Sequence, residues 1–221
     1  STEIFFTSGG TESNNWAIKG TAMEKLKYHG NHIIVSSVEH PSVRNTMETL
    51  SQNGFEITYL PADKLGKVHV EDVAAAIKET TILVSVMAVN NEIGAIQPIA
   101  EIGDLLEKYP TIHYHVDGVQ SVGTFEKPLI HDRVDLMSFS AHKFNGPRGI
   151  GILYKKQNRL ISHLLDGGGQ EMGQRSTTEN LAGIAATAKV LRMALAEAKD
   201  VKAKEVAMQE KLRAFFAEHT D

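Results

Sequence analysis

The sequence predicts an α/β domain with a mostly parallel, doubly wound sheet. Short apolar or β-branched segments alternate along the chain with segments whose apolar residues recur at helical spacing, and such alternation with short links is typical of parallel sheets. The strand-like segments are apolar throughout, as expected where helices cover both faces of a sheet. Ligands of these sheets bind at the carboxyl ends of the strands, so functional residues are expected there.

Seven segments are predicted as strands because each is a short run of apolar or β-branched residues. They are Ile4–Thr7, His32–Ser36, Phe55–Leu60, Ile82–Val89, Ile112–Val116, Leu136–Ser140 and Gly151–Tyr154. Helices are predicted between most of them from the helical periodicity of their apolar residues. These are Thr11–Tyr28, Val43–Asn53, Glu71–Lys78 and Ile99–Lys108.

The last quarter of the chain differs, since Asn180 to about Ala217 is rich in Ala, Glu and Lys. It predicts two helices, or one long helix with a break near Asp200. We expect residues 1–198 to form the main domain and 199–221 to be the helical start of a further, C-terminal domain. The lack of an initiator Met, with a strand so close to residue 1, indicates a piece of a longer protein.

The composition excludes several classes of function. With 42% hydrophobic and 23% charged residues, the 221 residues suffice for one large α/β domain or two small ones. A net charge of −4 with scattered basic residues gives no electrostatic footprint for nucleic acid. No apolar run approaches the roughly 20 residues that cross a bilayer. Because no signal peptide is recognisable, the chain is predicted to be a cytoplasmic protein that binds no membrane.

The chain contains no cysteine. Disulfides, Cys-ligated zinc or iron–sulfur sites and a cysteine nucleophile are therefore excluded within these residues. No metal site is predicted.

The first group of candidate functional residues follows the first strand. Gly9 and Gly10 allow a tight backbone turn, and Thr11 then opens a helix. Free backbone N–H groups and the positive end of the helix dipole make such a turn an anion site. The alternative is an ordinary strand-to-helix turn in which Thr11 or Ser8 is the N-cap.

Two further groups follow the second and fourth strands. His40 ends the second strand, where a histidine is either structural or able to stack on a flat cofactor ring. Asn91 lies in the turn Asn90-Asn91-Glu92 after the fourth strand. Turns rich in asparagine are common for conformational reasons, so this signal is weak when taken alone.

The last two groups follow the fifth and sixth strands. Asp117 is either a turn residue or a carboxylate placed to pair with a protonated ring nitrogen, and Gln120 can hydrogen-bond in the same pocket. Lys143 follows an apolar strand and precedes Gly146-Pro147, where a solvent-facing lysine is unusual. We expect this lysine to be desolvated, since desolvation favours a neutral amine that can form a Schiff base. The alternative, which these residues alone would favour, is a surface lysine on a loop.

The order of these groups indicates a cofactor. Enzymes that use pyridoxal phosphate (PLP) need a lysine that forms a Schiff base, an acidic partner for the pyridine nitrogen and a phosphate cradle. Here Asp117 precedes Lys143 by 26 residues, and the Gly10-Thr11 turn lies upstream of both. The five groups together therefore predict a PLP site.

The sequence also resembles a known family. The strings TSGGTESNN, VEHPSV, VNNEIG, HVDGVQ, SFSAHKFNGPRGIG and RSTTEN occur in this order. They are similar to class V PLP-dependent enzymes and, within that class, most similar to cysteine desulfurases. The resemblance implies the large domain of the PLP-dependent transferase type I fold, with a seven-stranded, mainly parallel sheet in a three-layer α/β/α arrangement.

The resemblance implies a role for each candidate residue. Lys143 would carry PLP and His40 would stack on its ring, both as catalytic residues. Asp117 would pair with the ring nitrogen, and Asn91 and Gln120 would hydrogen-bond near its phenolic oxygen. The phosphate would be held by Gly10, Thr11, Ser140 and His142. Thr178 of one subunit would reach the phosphate of its neighbour, which implies a homodimer with shared sites.

The implied reaction converts L-cysteine to L-alanine and passes the sulfur to an enzyme cysteine as a persulfide. In this family that cysteine and the arginine that binds the substrate carboxylate lie downstream of the residues matched here. The family's Arg-x-Gly-Thr pattern also appears as Arg175-Ser176-Thr177-Thr178. We therefore expect this chain to bind PLP but not to desulfurate cysteine, the activity belonging to the parent protein. The sulfur-acceptor protein stays open.

Three other interpretations compete with this one. The chain resembles, less closely, other class V enzymes such as selenocysteine lyases and aminotransferases. It is also compatible with a non-catalytic scaffold of the same fold, although such a scaffold has little reason to keep Lys143 and Asp117 together. A dinucleotide-binding domain is rejected because no Gly-x-Gly-x-x-Gly follows the first strand.

Overall fold

A computed structural model describes residues 2–123 and 130–219 of the chain. All seven predicted strands are present at or close to their predicted positions. They are β1 Ile4–Thr7, β2 His32–Ser36, β3 Glu56–Leu60, β4 Thr81–Met87, β5 His113–Asp117, β6 Leu136–Ser140 and β7 Gly151–Lys155. The predicted domain ranges, 1–198 and 199–221, include a few residues that lie outside the described part.

The strands form one sheet in the order β1-β7-β6-β5-β4-β2-β3. The pairs from β6 to β3 are parallel, whereas β7 runs antiparallel to both β1 and β6. The prediction of a seven-stranded, mainly parallel sheet is therefore confirmed. Because only β7 is reversed, the carboxyl ends of the other six strands share one edge of the sheet.

Helices cover both faces of this sheet. Helices α1 Gly10–Lys25 and α2 Pro41–Gln52 pack on one face, and α3 Val70–Ala76 and α4 Ile99–Leu106 pack on the other. Strand β2 shows why consecutive residues are apolar: Ile33 faces the α1–α2 layer, while the next residue, Ile34, faces the α3–α4 layer. Burial on both faces is what this pattern predicts.

The final helix, α5, runs without interruption from Leu181 to His219. The predicted break near Asp200 is wrong, since no Pro or Gly lies near that position to interrupt the helix. The first half packs on the sheet layer, but no described residue after Ala198 is buried. No helix among the described residues is both long and apolar enough to cross a membrane.

A buried hydroxyl links the sheet to α4 and gives a test of the packing. The side chain of Tyr114, on β5, is fully buried and donates to the carbonyl oxygen of Ile99 at 3.1 Å. We expect Tyr114→Phe to lower the free energy of unfolding by about 1 kcal/mol, the usual net value of one such hydrogen bond. Tyr28→Phe is the matched control because Tyr28 is 79% exposed. Equal urea midpoints for the two variants would contradict this role.

Candidate functional site

A cavity of about 210 Å³ lies at the carboxyl edge of the sheet, where β4, β5 and β6 end next to the start of α1. Nine of the ten predicted site residues line it, and Thr178 does not. The lining consists of Gly10, Thr11, Asn14, His40, Ser42, Met87, Asn91, Asp117, Val119, Gln120, Ser140, His142 and Lys143. Residues spread over more than 130 positions of sequence are thus brought together by the sheet order.

One wall of the cavity is the start of α1. The N-cap is Gly9, which makes no side-chain cap, so neither Ser8 nor Thr11 is the N-cap that the alternative interpretation required. A Cβ atom on Gly10 would lie 2.8 Å from Val119 Cγ2 and 3.4 Å from Ser140 Cβ. The helix start is therefore close to the loops after β5 and β6, and its first backbone N–H groups lack helical partners. This wall suits an anion.

The loop after β6 adds two polar groups to this wall. Ser140 Oγ and His142 Nδ1 are 2.9 Å apart and share a hydrogen bond. Burial lowers the pKa of His142, and the charges of Lys143 and Arg148 lower it further. The positive charges near His142, together with the positive end of the α1 helix dipole, give this wall of the cavity a positive potential.

Asp117 lies at the end of β5 and is buried. Its Oδ1 accepts from the backbone N–H of Val119 at 3.0 Å, and its Oδ2 accepts from Asn14 Nδ2 at 2.8 Å. Burial raises the pKa of Asp117, while these hydrogen bonds and the charge of Lys143 oppose the rise. A positively charged N–H group in the cavity would therefore stabilise the ionised form.

Lys143 lies in a 3₁₀ turn, Ala141–Phe144, directly after β6. Ala141 and Phe144 are buried and pack with Ile150, so they anchor the turn and leave Lys143 exposed. The prediction that this lysine is desolvated is wrong for the described chain. Its backbone is fixed by the buried residues of the turn, and its exposed side chain lines the cavity.

His40 is the N-cap of α2, and its ring is held by two hydrogen bonds from one residue. Its Nδ1 accepts from the backbone N–H of Ser42 at 3.1 Å and lies 2.9 Å from Ser42 Oγ. Ser42 Oγ also accepts from Asn14 Nδ2 at 2.9 Å. His40 and Asp117 are thereby connected through two intervening side chains.

A second carboxyl group lies buried beside the cavity. Glu39 Oε1 accepts from the backbone N–H of Met87 at 2.6 Å, while Oε2 is buried without a hydrogen-bond partner among the described residues. Burial raises the pKa of Glu39 well above its usual range, and the charge of Asp117 raises it further. The neutral carboxyl is therefore favoured, which leaves Asp117 as the negative charge of the cavity wall.

Thr178 lies in an exposed segment outside the cavity. The same segment is attached to α1 through Arg175, which donates to both carboxylate oxygens of Glu12 at 2.7 and 3.0 Å. Burial raises the pKa of Glu12, but the hydrogen bonds from Arg175 and Ser8 outweigh it and lower the pKa overall. The negative charge of Glu12 is thus balanced by Arg175, next to the wall formed by the start of α1.

Sequence reasoning assigned no role to several residues of this site: Asn14, Ser42, Met87, Val119 and Glu39. One signal could have found Asn14, because it follows Gly10 by four positions and therefore lies on the same face of α1. Ser42 has a similar signal, since the second residue after an N-cap is where a capping side chain bonds.

Comparisons with known proteins agree with one another. The family described as aminotransferase class-V matches residues 1–219. A NifS/IcsS protein homolog of Lactobacillus delbrueckii is 57% identical over 97% of this chain and 56% of its own length. The cysteine desulfurase IscS of Clostridium botulinum is 51% identical over 87% of this chain and 48% of its own. A solved NifS-like protein has a TM-score of 0.88 at 41% identity, covering 98% of this chain and 58% of its own. The chain thus spans about half the length of these relatives.

Proposed function

The chain belongs to the aminotransferase class-V family, and from this premise we propose that it is the PLP-binding part of a cysteine desulfurase. One observation carries the proposal. An exposed lysine, a buried carboxylate and an anion-binding helix start line a single cavity: Lys143, Asp117 and Gly10. These are the three groups that PLP requires of a protein.

The residues of the cavity fit PLP. The close approach at Gly10, where a Cβ atom would be too near Val119 and Ser140, brings the start of α1 against the loops after β5 and β6, where its first backbone N–H groups would bind a phosphate. Thr11, Ser140 and His142 would complete this cradle. Asp117 would hold a protonated ring nitrogen, while Asn91 and Gln120 would bond the phenolic oxygen.

Bound PLP would withdraw electrons from the substrate carbon through its protonated ring. The Nζ of Lys143 would attach the cofactor and, once freed, would carry protons to and from that carbon. Asp117 would keep the ring nitrogen protonated by an ion pair, and His40 would cover one face of the ring and exclude water there.

The proposed substrate is L-cysteine, as the names of the relatives suggest. Its C–S bond would break with the sulfur passing to a thiolate as a persulfide, and a proton would be added to carbon to give L-alanine. This chain has no cysteine to supply that thiolate. We therefore propose that it binds PLP without desulfurating cysteine, and that the parent protein passes sulfur to an acceptor protein.

We also propose a homodimer with shared sites. The exposed position of Thr178, outside its own cavity, supports a contact with the phosphate bound by a neighbouring subunit.

We also propose the domain division between residues 198 and 199, because burial in α5 ends at Ala198. The ordinary composition and the net charge of −4 favour the cytoplasmic location expected from the sequence.

The cofactor chemistry can be tested directly on this chain. The protein is incubated with PLP, reduced with borohydride and digested, and the modified peptide is identified by mass spectrometry. We expect a phosphopyridoxyl group on Lys143. Labelling spread over surface lysines, or no labelling, would contradict the proposal that the cavity binds PLP.

A further inference from the structure

A series of hydrogen bonds connects Asp117 to His40 through two side chains that have no assigned role. Asn14 Nδ2 donates to Asp117 Oδ2 at 2.8 Å and to Ser42 Oγ at 2.9 Å. Ser42 in turn contacts His40 Nδ1 through its hydroxyl at 2.9 Å and its backbone N–H at 3.1 Å. All four side chains line the cavity.

The chemistry of the four groups fixes the direction of each bond. An amide nitrogen only donates, and an ionised carboxylate only accepts. Ser42 Oγ therefore accepts one hydrogen from Asn14 and is free to give its own to His40 Nδ1. The backbone N–H of Ser42 can also only donate. His40 Nδ1 thus faces two donors and carries no hydrogen, so the proton of the neutral ring lies on Nε2.

The orientation of the Asn14 amide is set by the same logic. A reversed amide would place Oδ1 against Asp117 Oδ2, so that two acceptors would face each other. In the orientation present, both amide hydrogens are used while Oδ1 is buried without a partner. Asn14 is 1% exposed, and a buried amide oxygen is normally hydrogen-bonded. The unpaired oxygen indicates that the geometry serves Asp117 and Ser42 rather than the stability of α1.

We propose that Asn14 and Ser42 are positioning residues that orient Asp117 and His40 as one unit and fix His40 in the tautomer with its proton on Nε2. The proposal deepens the proposed function, on which the roles of Asp117 and His40 rest. Nε2 is then the ring nitrogen left to contact a ligand. There the neutral ring donates a hydrogen bond and has no lone pair with which to act as a base.

The first test needs no cofactor. Nitrogen-15 NMR of histidine-labelled protein distinguishes a protonated from an unprotonated ring nitrogen, and the loss of one signal set in His40→Asn assigns the resonances. Asparagine is a good N-cap, so this variant keeps α2 capped. We expect an unprotonated Nδ1 and a protonated Nε2. The opposite tautomer, or a mixture of the two, would overturn the proposal.

The second test asks whether Asn14 influences both Asp117 and His40, which lie at the two ends of the series of hydrogen bonds. Ser42→Ala should shift the His40 Nδ1 resonance, and Ser42→Thr, which keeps the hydroxyl, should restore it. Asn14→Ala should shift the same resonance and weaken PLP binding roughly ten- to a hundred-fold, as expected for loss of a hydrogen bond to a charged group. Asn15→Ala is the matched control because Asn15 bonds only within α1, to Thr11 O.

The outcomes separate the two proposals. If Asn14→Ala and Ser42→Ala alter the thermal stability but leave the His40 resonances unchanged, Asn14 and Ser42 have a structural role only and the inference fails. Ser42, which is half-buried, keeps the test valid if the Asn14 variant does not fold. If the wild-type chain binds no PLP, the proposed function fails, while the tautomer of His40 still tests the inference.

Discussion

Lys143→Ala should abolish the phosphopyridoxyl label completely, reducing it to the background of surface lysines. The reason is chemical, because no other group of the cavity wall can form an imine with the cofactor. The turn that holds Lys143 is anchored by Ala141 and Phe144, so the variant should fold normally. Its phosphate cradle and Asp117 are unchanged, and PLP should still bind without a covalent bond.

The matched control for this prediction is Lys19→Ala. Lys19 lies on α1 and does not line the cavity, and its replacement should leave the label on Lys143 at the wild-type level. Mass spectrometry gives the label and equilibrium dialysis gives the remaining non-covalent binding. A Lys143→Ala chain that labels as strongly as wild type at another single lysine would show that the assignment is wrong.

Acid should destabilise this chain strongly because two buried histidines must stay neutral in the folded state. His115 lies between Ser85 and Ser138 at 2.8 and 3.0 Å, and burial lowers its pKa to about 3. His113 bonds Thr21 at 3.1 Å, and burial, with neighbouring positive charges, lowers its pKa to about 2. In the unfolded chain both would titrate near 6.5.

The direction of the pH dependence of stability follows from proton binding. Below about pH 6.5 the unfolded chain binds protons that the folded chain does not, so stability falls as the pH falls. Each histidine contributes about 1.4 kcal/mol per pH unit, which gives about 4 kcal/mol for the pair between about pH 7 and pH 5. The buried carboxyl of Glu39, whose pKa is raised, opposes part of this loss because it binds a proton in the folded chain. Urea unfolding at a series of pH values measures the net pH dependence.

One variant and one control variant test whether the buried histidines cause the pH dependence. His115→Gln removes one of the two histidines and should lower the stability loss between about pH 7 and pH 5 by about 2 kcal/mol, whatever it does to the stability at neutral pH. His163→Gln should leave the pH dependence unchanged because His163 is exposed. The explanation would be refuted by equal pH dependence in the wild type and in His115→Gln.

The sheet could be predicted from the sequence because burial on both faces leaves a simple signal. Strand β4 is buried at every position and consists mainly of apolar residues. The grouping of the candidate site residues could be predicted because polar residues stand at or just after the strand ends, as Asp117 ends β5 and Lys143 lies three residues after β6. The position of a polar residue relative to an apolar strand therefore indicates that it lies at the carboxyl edge of the sheet.

Other features could not be predicted for reasons that are also physical. The N-cap of α1 is Gly9, which makes no side-chain hydrogen bond. Residue type alone therefore favoured its neighbours Ser8 and Thr11, whose hydroxyl groups are typical of N-caps. The exposure of Lys143 depends on which segments cover the sheet edge, which local sequence does not encode. Asn14 contacts Asp117 across 103 positions of sequence, and no local pattern reports such a pairing.

The place of β1 in the sheet has a consequence for folding during synthesis. β1 pairs only with β7, and Ile4 lies opposite Tyr154. At ribosomal rates of roughly 5–20 residues per second, the first strand waits about 7 to 30 s for its partner to be made. The anion-binding start of α1, which directly follows β1, is therefore completed late. We expect a nascent chain to form its central parallel strands first and to become competent for cofactor only after β7 has been added.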